Sequence, residues 1–196
     1  MLNEWINKKY TNAQIKLKAK PFPHILLTNF FNEKKLIEVK KELLKETFYD
    51  KESDLFFFKE TNDLKSSKNP VIKEWFSFFN SKEFKERIGK ITGTKLKKID
   101  AAGMQYPETG YLLPHDDRVS TRKVAYVVYL SEQSKEDGGM LEFFETKNNR
   151  PMRVAKRFAP KFNSLMLFLV SKKSYHQVSE QVKHEQRITI GGWFHG

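Results

Sequence analysis

The greatest chemical capacity of this chain lies in Leu113-Pro114-His115-Asp116-Asp117. His115 and Asp117 stand two positions apart, a spacing that puts both side chains on one face of an extended strand. An imidazole and a carboxylate so placed can share a metal ion. Farther along, Tyr175-His176-Gln177 supplies a second imidazole, and Arg187-Ile188-Thr189 a cation followed by a hydroxyl. If the later strands fold back beside the first, His115, Asp117 and His176 form a two-histidine, one-carboxylate face. Such a face holds Fe(II) from one side and leaves positions open for a co-substrate and O2. Asp116 would point away from it and suits turn capping.

Arg187 heads a strand in which Thr189, Gly191 and Trp193 share its face, opposite Ile188 and Ile190. An arginine on an inward face needs an anion. A bound carboxylate gripped in fork geometry satisfies it, with Thr189 as a second donor; an internal salt bridge is the alternative. Tyr129 shares a face with Ala125 and Val127, so its hydroxyl either reaches the same carboxylate or belongs to a core tyrosine satisfied by backbone. His176, too, reads as a ligand or as a buried, hydrogen-bonded histidine. His24, His184 and His195 have no carboxylate at ligand spacing and read as structural or surface groups.

Bringing these groups together requires several strands, and the second half of the chain supplies them. Strands are expected over Leu96 to Tyr106, Lys123 to Leu130, Met140 to Thr146, Val154 to Phe158, Ser164 to Ser171, Tyr175 to Ser179 and Arg187 to Phe194. Turn signals such as Asp137-Gly138-Gly139 and Asn148-Asn149 separate them. Many short strands at this rhythm argue for a sandwich or jelly-roll barrel. The first half carries short strands over Pro21 to Leu27 and Leu55 to Phe58, a polar loop over Thr61 to Asn69 and most of the helices, with Asn3 to Lys20 readable as a helix followed by a short extended piece and otherwise left open in type. Asn32 is placed to cap a helix with Leu36, Val39, Leu43 and Leu44 on one face, closing at Thr47-Phe48. Ile72, Trp75, Phe76 and Phe79 mark a second helix. Ser81 and Gly93 bracket a third, which carries Phe84, Ile88 and Ile91.

With 196 residues, 39% of them hydrophobic and 14% aromatic, the chain is expected to form a single domain over 1–196. Its helix-rich support would run to about residue 95 and its β core over about 96–196. Cysteine is absent, which excludes disulfides and thiolate metal sites and leaves nitrogen and oxygen ligands. The net charge of +12 suits acidic partners. The excess is nevertheless lysine dispersed along the chain without an arginine-rich arm, so no dedicated nucleic-acid site is expected. No basic segment followed by an apolar run opens the sequence, and no apolar stretch approaches a membrane span. An intracellular location, cytoplasmic or nuclear, with no membrane partner is the expectation.

The segments Lys20-Pro21-Phe22-Pro23-His24, Asp63-Leu64, Leu113-Pro114-His115-Asp116-Asp117, Ala125-Tyr126-Val127-Val128-Tyr129-Leu130, Gly138-Gly139-Met140-Leu141, Ser174-Tyr175-His176-Gln177-Val178-Ser179-Glu180 and Gly192-Trp193-Phe194-His195-Gly196 together carry a resemblance. From about residue 20 onward the chain resembles the catalytic domain of the ribosomal prolyl hydroxylases. These 2-oxoglutarate- and Fe(II)-dependent oxygenases hydroxylate a proline in the decoding-centre protein of the small ribosomal subunit. The resemblance implies an α+β, mainly β fold: a double-stranded β-helix, jelly-roll and cupin-like, with helices packed on one sheet. It implies iron on His115, Asp117 and His176, and the distal carboxylate of 2-oxoglutarate on Arg187 and Tyr129. Fe(II), 2-oxoglutarate and O2 are the implied cofactor and co-substrates, with ascorbate as an optional reductant.

Eukaryotic members continue past Gly-Trp-Phe-His-Gly into a second, non-catalytic domain. Single-domain bacterial and viral relatives act on other proteins, including a translation elongation factor, which is the alternative substrate. A nucleic-acid demethylase of the same chemistry would carry a second arginine six positions after the first, where this chain has Trp193. A metal-free binding module would have lost ligands that are all present here.

Overall fold

The computed structural model describes residues 2–119 and 121–196. Two single-turn helices, α1 (Leu2–Trp5) and α2 (Lys8–Thr11), precede strand β1 (His24–Thr28). Helix α3 (Glu33–Leu43) follows, then a hairpin of β2 (Phe48–Ser53) and β3 (Phe56–Thr61), and then helices α4 (Pro70–Phe79) and α5 (Lys82–Thr92). The remainder is β: β4 (Lys98–Ile99), β5 (Ala102–Tyr106), β6 (Tyr111–His115), β7 (Arg122–Tyr129), β8 (Leu141–Lys147), β9 (Arg150–Phe158), β10 (Ser164–Leu169), β11 (His176–Val178) and β12 (Arg187–His195).

The helices start and stop for local reasons. The Asn32 side chain accepts the Lys35 N–H at the head of α3. Asn69 accepts from Val71 and Ile72 at the head of α4, where Pro70 occupies a position that needs no donor. Ser81 caps α5, and Gly93 ends it in the left-handed conformation (φ 68°). Helix α3 ends at Leu43, short of the expected Thr47-Phe48, and Phe48 instead begins β2.

All pairings are antiparallel, in the order β1-β10-β7-β12-β5-β3-β6-β11-β8-β9, with β2 beside β3 and β4 beside β12. The sheet curls so that its two halves face each other, the double-stranded β-helix arrangement. Strand β3 joins the halves: Lys59 and Glu60 pair with β5, whereas Phe56 and Phe57 pair with β6. The order ends at β1 on one side and β9 on the other.

Strand alternation sorts the core into two layers. Val124, Tyr126 and Val128 of β7, Leu165 and Leu167 of β10, and Ile188, Ile190 and Phe194 of β12 face the helices, where they meet Trp75, Phe79 and Phe84. Their neighbours Ala125, Tyr129, Met166 and Phe168 face into the curl, against Phe22, Leu141 and Phe143. Because both faces of β7 and β10 are buried, Val124 to Tyr129 and Leu165 to Leu169 read as unbroken apolar runs. The expected strand over Leu96 to Tyr106 is in fact two. It breaks at Asp100, whose carboxylate accepts the backbone N–H of Trp193 (2.8 Å) and pairs with His195 Nε2 (3.0 Å).

Candidate active site

His115 ends β6 and His176 begins β11, and the two lie directly opposite each other in register. Their rings are 4.2 Å apart, centroid to centroid. Asp117 lies just past the end of β6, in a left-handed turn (φ 62°) that returns its carboxylate toward both rings. Its Oδ1 is 3.4 Å from His115 Nε2 and its Oδ2 is 3.3 Å from His176 Nε2. The expected same-face alternation thus accounts for His115 and not for Asp117, because the strand has already ended; the turn makes the approach instead. Asp116 does cap that turn, accepting the Arg118 N–H and pairing with its guanidinium.

Each imidazole Nδ1 faces a backbone carbonyl two residues upstream, Leu113 for His115 (2.9 Å) and Ser174 for His176 (2.8 Å). A proton on each Nδ1 leaves both Nε2 lone pairs directed at the space shared with Asp117. These three donors lie within 4.8 Å of one another, as a metal ion requires. Burial pushes the Asp117 carboxyl up, but the adjacent His176 and His115 outweigh it and hold the group well below the usual carboxylate range. For His115 burial lowers the pKa, and Asp117 more than reverses that, for a net rise. The donor chemistry, two imidazoles and one anionic carboxylate, fits Fe(II).

The triad opens on a cavity of about 240 Å³, whose far wall is β12: Arg187, Thr189, Gly191 and Trp193 all face it, as alternation requires. Arg187 is 2% exposed and forms no ion pair with a carboxylate among the described residues, so the salt-bridge alternative does not hold. Its guanidinium lies over the rings of Tyr106 (4.7 Å) and Tyr129 (5.5 Å). Arg187 Nε, Thr189 Oγ1 and the Tyr129 hydroxyl are buried with no hydrogen-bond partner. Leaving such groups unpaired costs about 1–3 kcal/mol each, more for a charged one. A ligand carboxylate would satisfy all three, so the site fits 2-oxoglutarate. Burial pushes the Tyr129 hydroxyl up despite the adjacent guanidinium, and pushes Tyr106 up to about 12, so both stay neutral donors.

Two groups escaped the sequence reading. Arg122, at the start of β7, stacks its guanidinium 3.3 Å from the Trp193 ring centroid and brings Nη1 to 3.8 Å from Asp117 Oδ1. Asp100 fixes the Trp193 backbone and meets His195, whose Nδ1 lies 2.8 Å from the Thr121 hydroxyl. His24 is fully buried with its ring against Phe143 and Phe158 and is not one of the metal-face donors, and His184 is an exposed partner of Glu108.

Residues 101–195, which contain the triad and the Arg187 wall, match the family model described as the 2OG-Fe(II) oxygenase superfamily. Over that stretch the chain is similar to the 2OG-Fe(II) oxygenase superfamily. Fe(II) and 2-oxoglutarate are therefore its cofactor and co-substrate. Among relatives, the prolyl 3-hydroxylase OGFOD1 of Xenopus laevis is 38% identical over 189 residues, covering 94% of this chain and 37% of that protein. The prolyl 3-hydroxylase OGFOD1 of Mus musculus is 34% identical over 192 residues, 95% of this chain and 35% of that protein. The chain thus spans little more than a third of the length of these relatives. In fold, a Pseudomonas putida prolyl-4-hydroxylase superposes with a TM-score of 0.73 at 17% identity, over 88% of this chain and 91% of that one.

Proposed function

We propose that this oxygenase hydroxylates a prolyl residue of a protein, at C3 of the ring. The observation that carries the proposal is the meeting, in one cavity, of the His115–Asp117–His176 face with the unpartnered Arg187 and Thr189 groups, with the Tyr129 ring beneath the Arg187 guanidinium. The names of the prolyl 3-hydroxylase relatives support the choice of proline and of C3. The decoding-centre protein of the small ribosomal subunit is the first substrate to test, on the strength of the sequence resemblance, and a translation elongation factor the second.

Fe(II) with 2-oxoglutarate and O2 supplies oxidative decarboxylation to succinate and CO2, with the second oxygen atom inserted into a substrate C–H bond. This chain's residues hold and orient. His115 and His176 act as neutral Nε2 donors, their tautomers set by the Leu113 and Ser174 carbonyls, while Asp117 contributes one negative charge. Arg187, Thr189 and Tyr129 would hold the co-substrate carboxylate. Leu141, Phe168 and Val178 line the space between with apolar surface, which excludes water from the reacting centre.

The test is anaerobic loading with Fe(II) and 2-oxoglutarate, followed by O2 and a proline-containing peptide from the decoding-centre protein, with succinate and peptide mass recorded. One oxygen gained on proline is the expected result. Succinate release coupled to oxidation of a residue other than proline would overturn the proposal.

A further inference from the structure

The lysines that appear dispersed in the sequence are gathered by the fold. Antiparallel order places the start of β1, the end of β10, the start of β7, the end of β12 and the start of β4 along one rim of the sheet. Lys18, bridged to His24, stands at the first of these. Lys172 and Lys173 follow the second, Lys123 belongs to the third, and Lys97 and Lys98 pair with His195 at the last two. All six are exposed, and none pairs with a carboxylate among the described residues, whereas Lys35, Lys45, Lys51, Lys59, Lys82 and Lys183 elsewhere do. The nearby carboxylates are already engaged: Asp100 with His195 and the Trp193 N–H, and Asp116 with Arg118.

Four strand-to-strand steps make the row roughly 20 Å long, the length of about six phosphates along one strand of a duplex. The row also borders the metal face. Lys123 follows Arg122, which approaches Asp117, and the Lys172–Lys173 turn is tied to the metal loop by the Ser174 hydroxyl donating to the Asp116 carbonyl (3.0 Å).

We propose that this rim binds the phosphodiester backbone of a nucleic acid, beside the mouth of the oxygenase cavity. Its composition favours phosphate over an acidic protein, because protein interfaces are depleted in lysine and built on aromatic or aliphatic anchors, which this row lacks. A line of separate ammonium groups matches instead the repeating point charges of a sugar–phosphate chain. Binding there does not depend on which residue the cavity oxidises. It does place the enzyme where a protein substrate held on RNA or DNA could present a side chain to the metal face.

The test is fluorescence anisotropy with a labelled single-stranded RNA and the DNA of the same sequence, over a salt series. The rim variant combines Lys97→Gln, Lys123→Gln and Lys172→Gln. A control removes the same charge from the helical face with Lys34→Gln, Lys41→Gln and Lys73→Gln. The rim variant is expected to bind about tenfold or more weakly, with a slope of log affinity against log salt shallower by about 2. The control should bind as the unmodified protein does. 2-Oxoglutarate binding unchanged in both variants establishes that both are folded. Tighter binding of one polymer would name the natural ligand. Equal losses in the two variants would reduce the effect to net charge and overturn the proposal, as would binding of neither polymer. Equal, rim-dependent binding of polyglutamate would overturn it in favour of an acidic protein.

Discussion

Asp117 does two things at one position: it supplies the anionic ligand, and it holds a left-handed backbone that few residues other than glycine, asparagine and aspartate adopt readily. Asp117→Asn keeps the turn and removes the charge. That variant should fold normally yet lose more metal affinity than the roughly 10–100-fold that changes beyond the direct ligands cost, as read by Mn(II) or anaerobic Fe(II) titration. Arg187→Ala should separate the two ends of the cavity. Losing charge-assisted hydrogen bonds worth about 1.5–3 kcal/mol weakens 2-oxoglutarate by roughly 10–150-fold, while metal binding without co-substrate changes little. Calorimetric titration of each ligand checks the split, and equal loss of both would make Arg187 a structural residue. Residue type and spacing offered His115, Asp117, His176, Arg187, Tyr129 and Thr189 as candidates, with a structural role left open for His176, Arg187 and Tyr129. Arg122 and Asp100 were not legible, because their partners lie 71 and 93 positions away, on strands whose register the sequence does not state.

Among the elements, α4 and α5 matter most to the site although they do not touch it. Phe79 packs its ring against Phe31, Trp75, Phe78, Phe84, Tyr126 and Phe194, which ties the helices to the outer face of β7 and β12. The inner faces of those strands carry Tyr129, Arg187 and Thr189. Phe79→Ala should therefore cost about 3–5 kcal/mol in chemical denaturation. Co-substrate affinity should survive wherever the variant remains folded. The helical stripes and their caps were readable, since Asn32, Ser81 and Gly93 act within a few residues. Strand β2 was not. Tyr49 to Ser53 are exposed and polar, without alternation, and the strand is held by its pairing with β3, including Asp50–Lys59 (3.2 Å) and Lys51–Glu60 (3.7 Å). Such pairs become visible only once two strands are side by side.

For the whole molecule, ligands that bind only the folded state add to its stability. Mn(II) with 2-oxoglutarate at about 100 times the dissociation constant should contribute about 2.7 kcal/mol, seen as a rise in thermal midpoint that Arg187→Ala diminishes. Acid acts in the opposite direction through His24. Burial lowers its pKa below 6.5, more than the Phe22 carbonyl bonded to Nδ1 raises it, and nearby Lys156 and Lys18 lower it further. The unfolded chain then takes up a proton near 6.5 that the folded chain refuses. The stability is fully present above that pH and is lost as pH falls toward the lowered folded value. Denaturation midpoints followed downward from about 6.5 should drop, and His24→Gln should flatten the drop. The two ends of the sheet have a consequence for life in a crowded solution. The curl never closes, so β9 keeps a row of unpaired backbone groups, yet Arg150, Pro151, Arg153, Lys156 and Arg157 lie along it. A second copy approaching edge to edge meets like charge and a residue that cannot donate, so a would-be template for polymerisation is blunted. Replacing Arg150, Pro151 and Lys156 with threonine should turn a clear solution into one that scatters light.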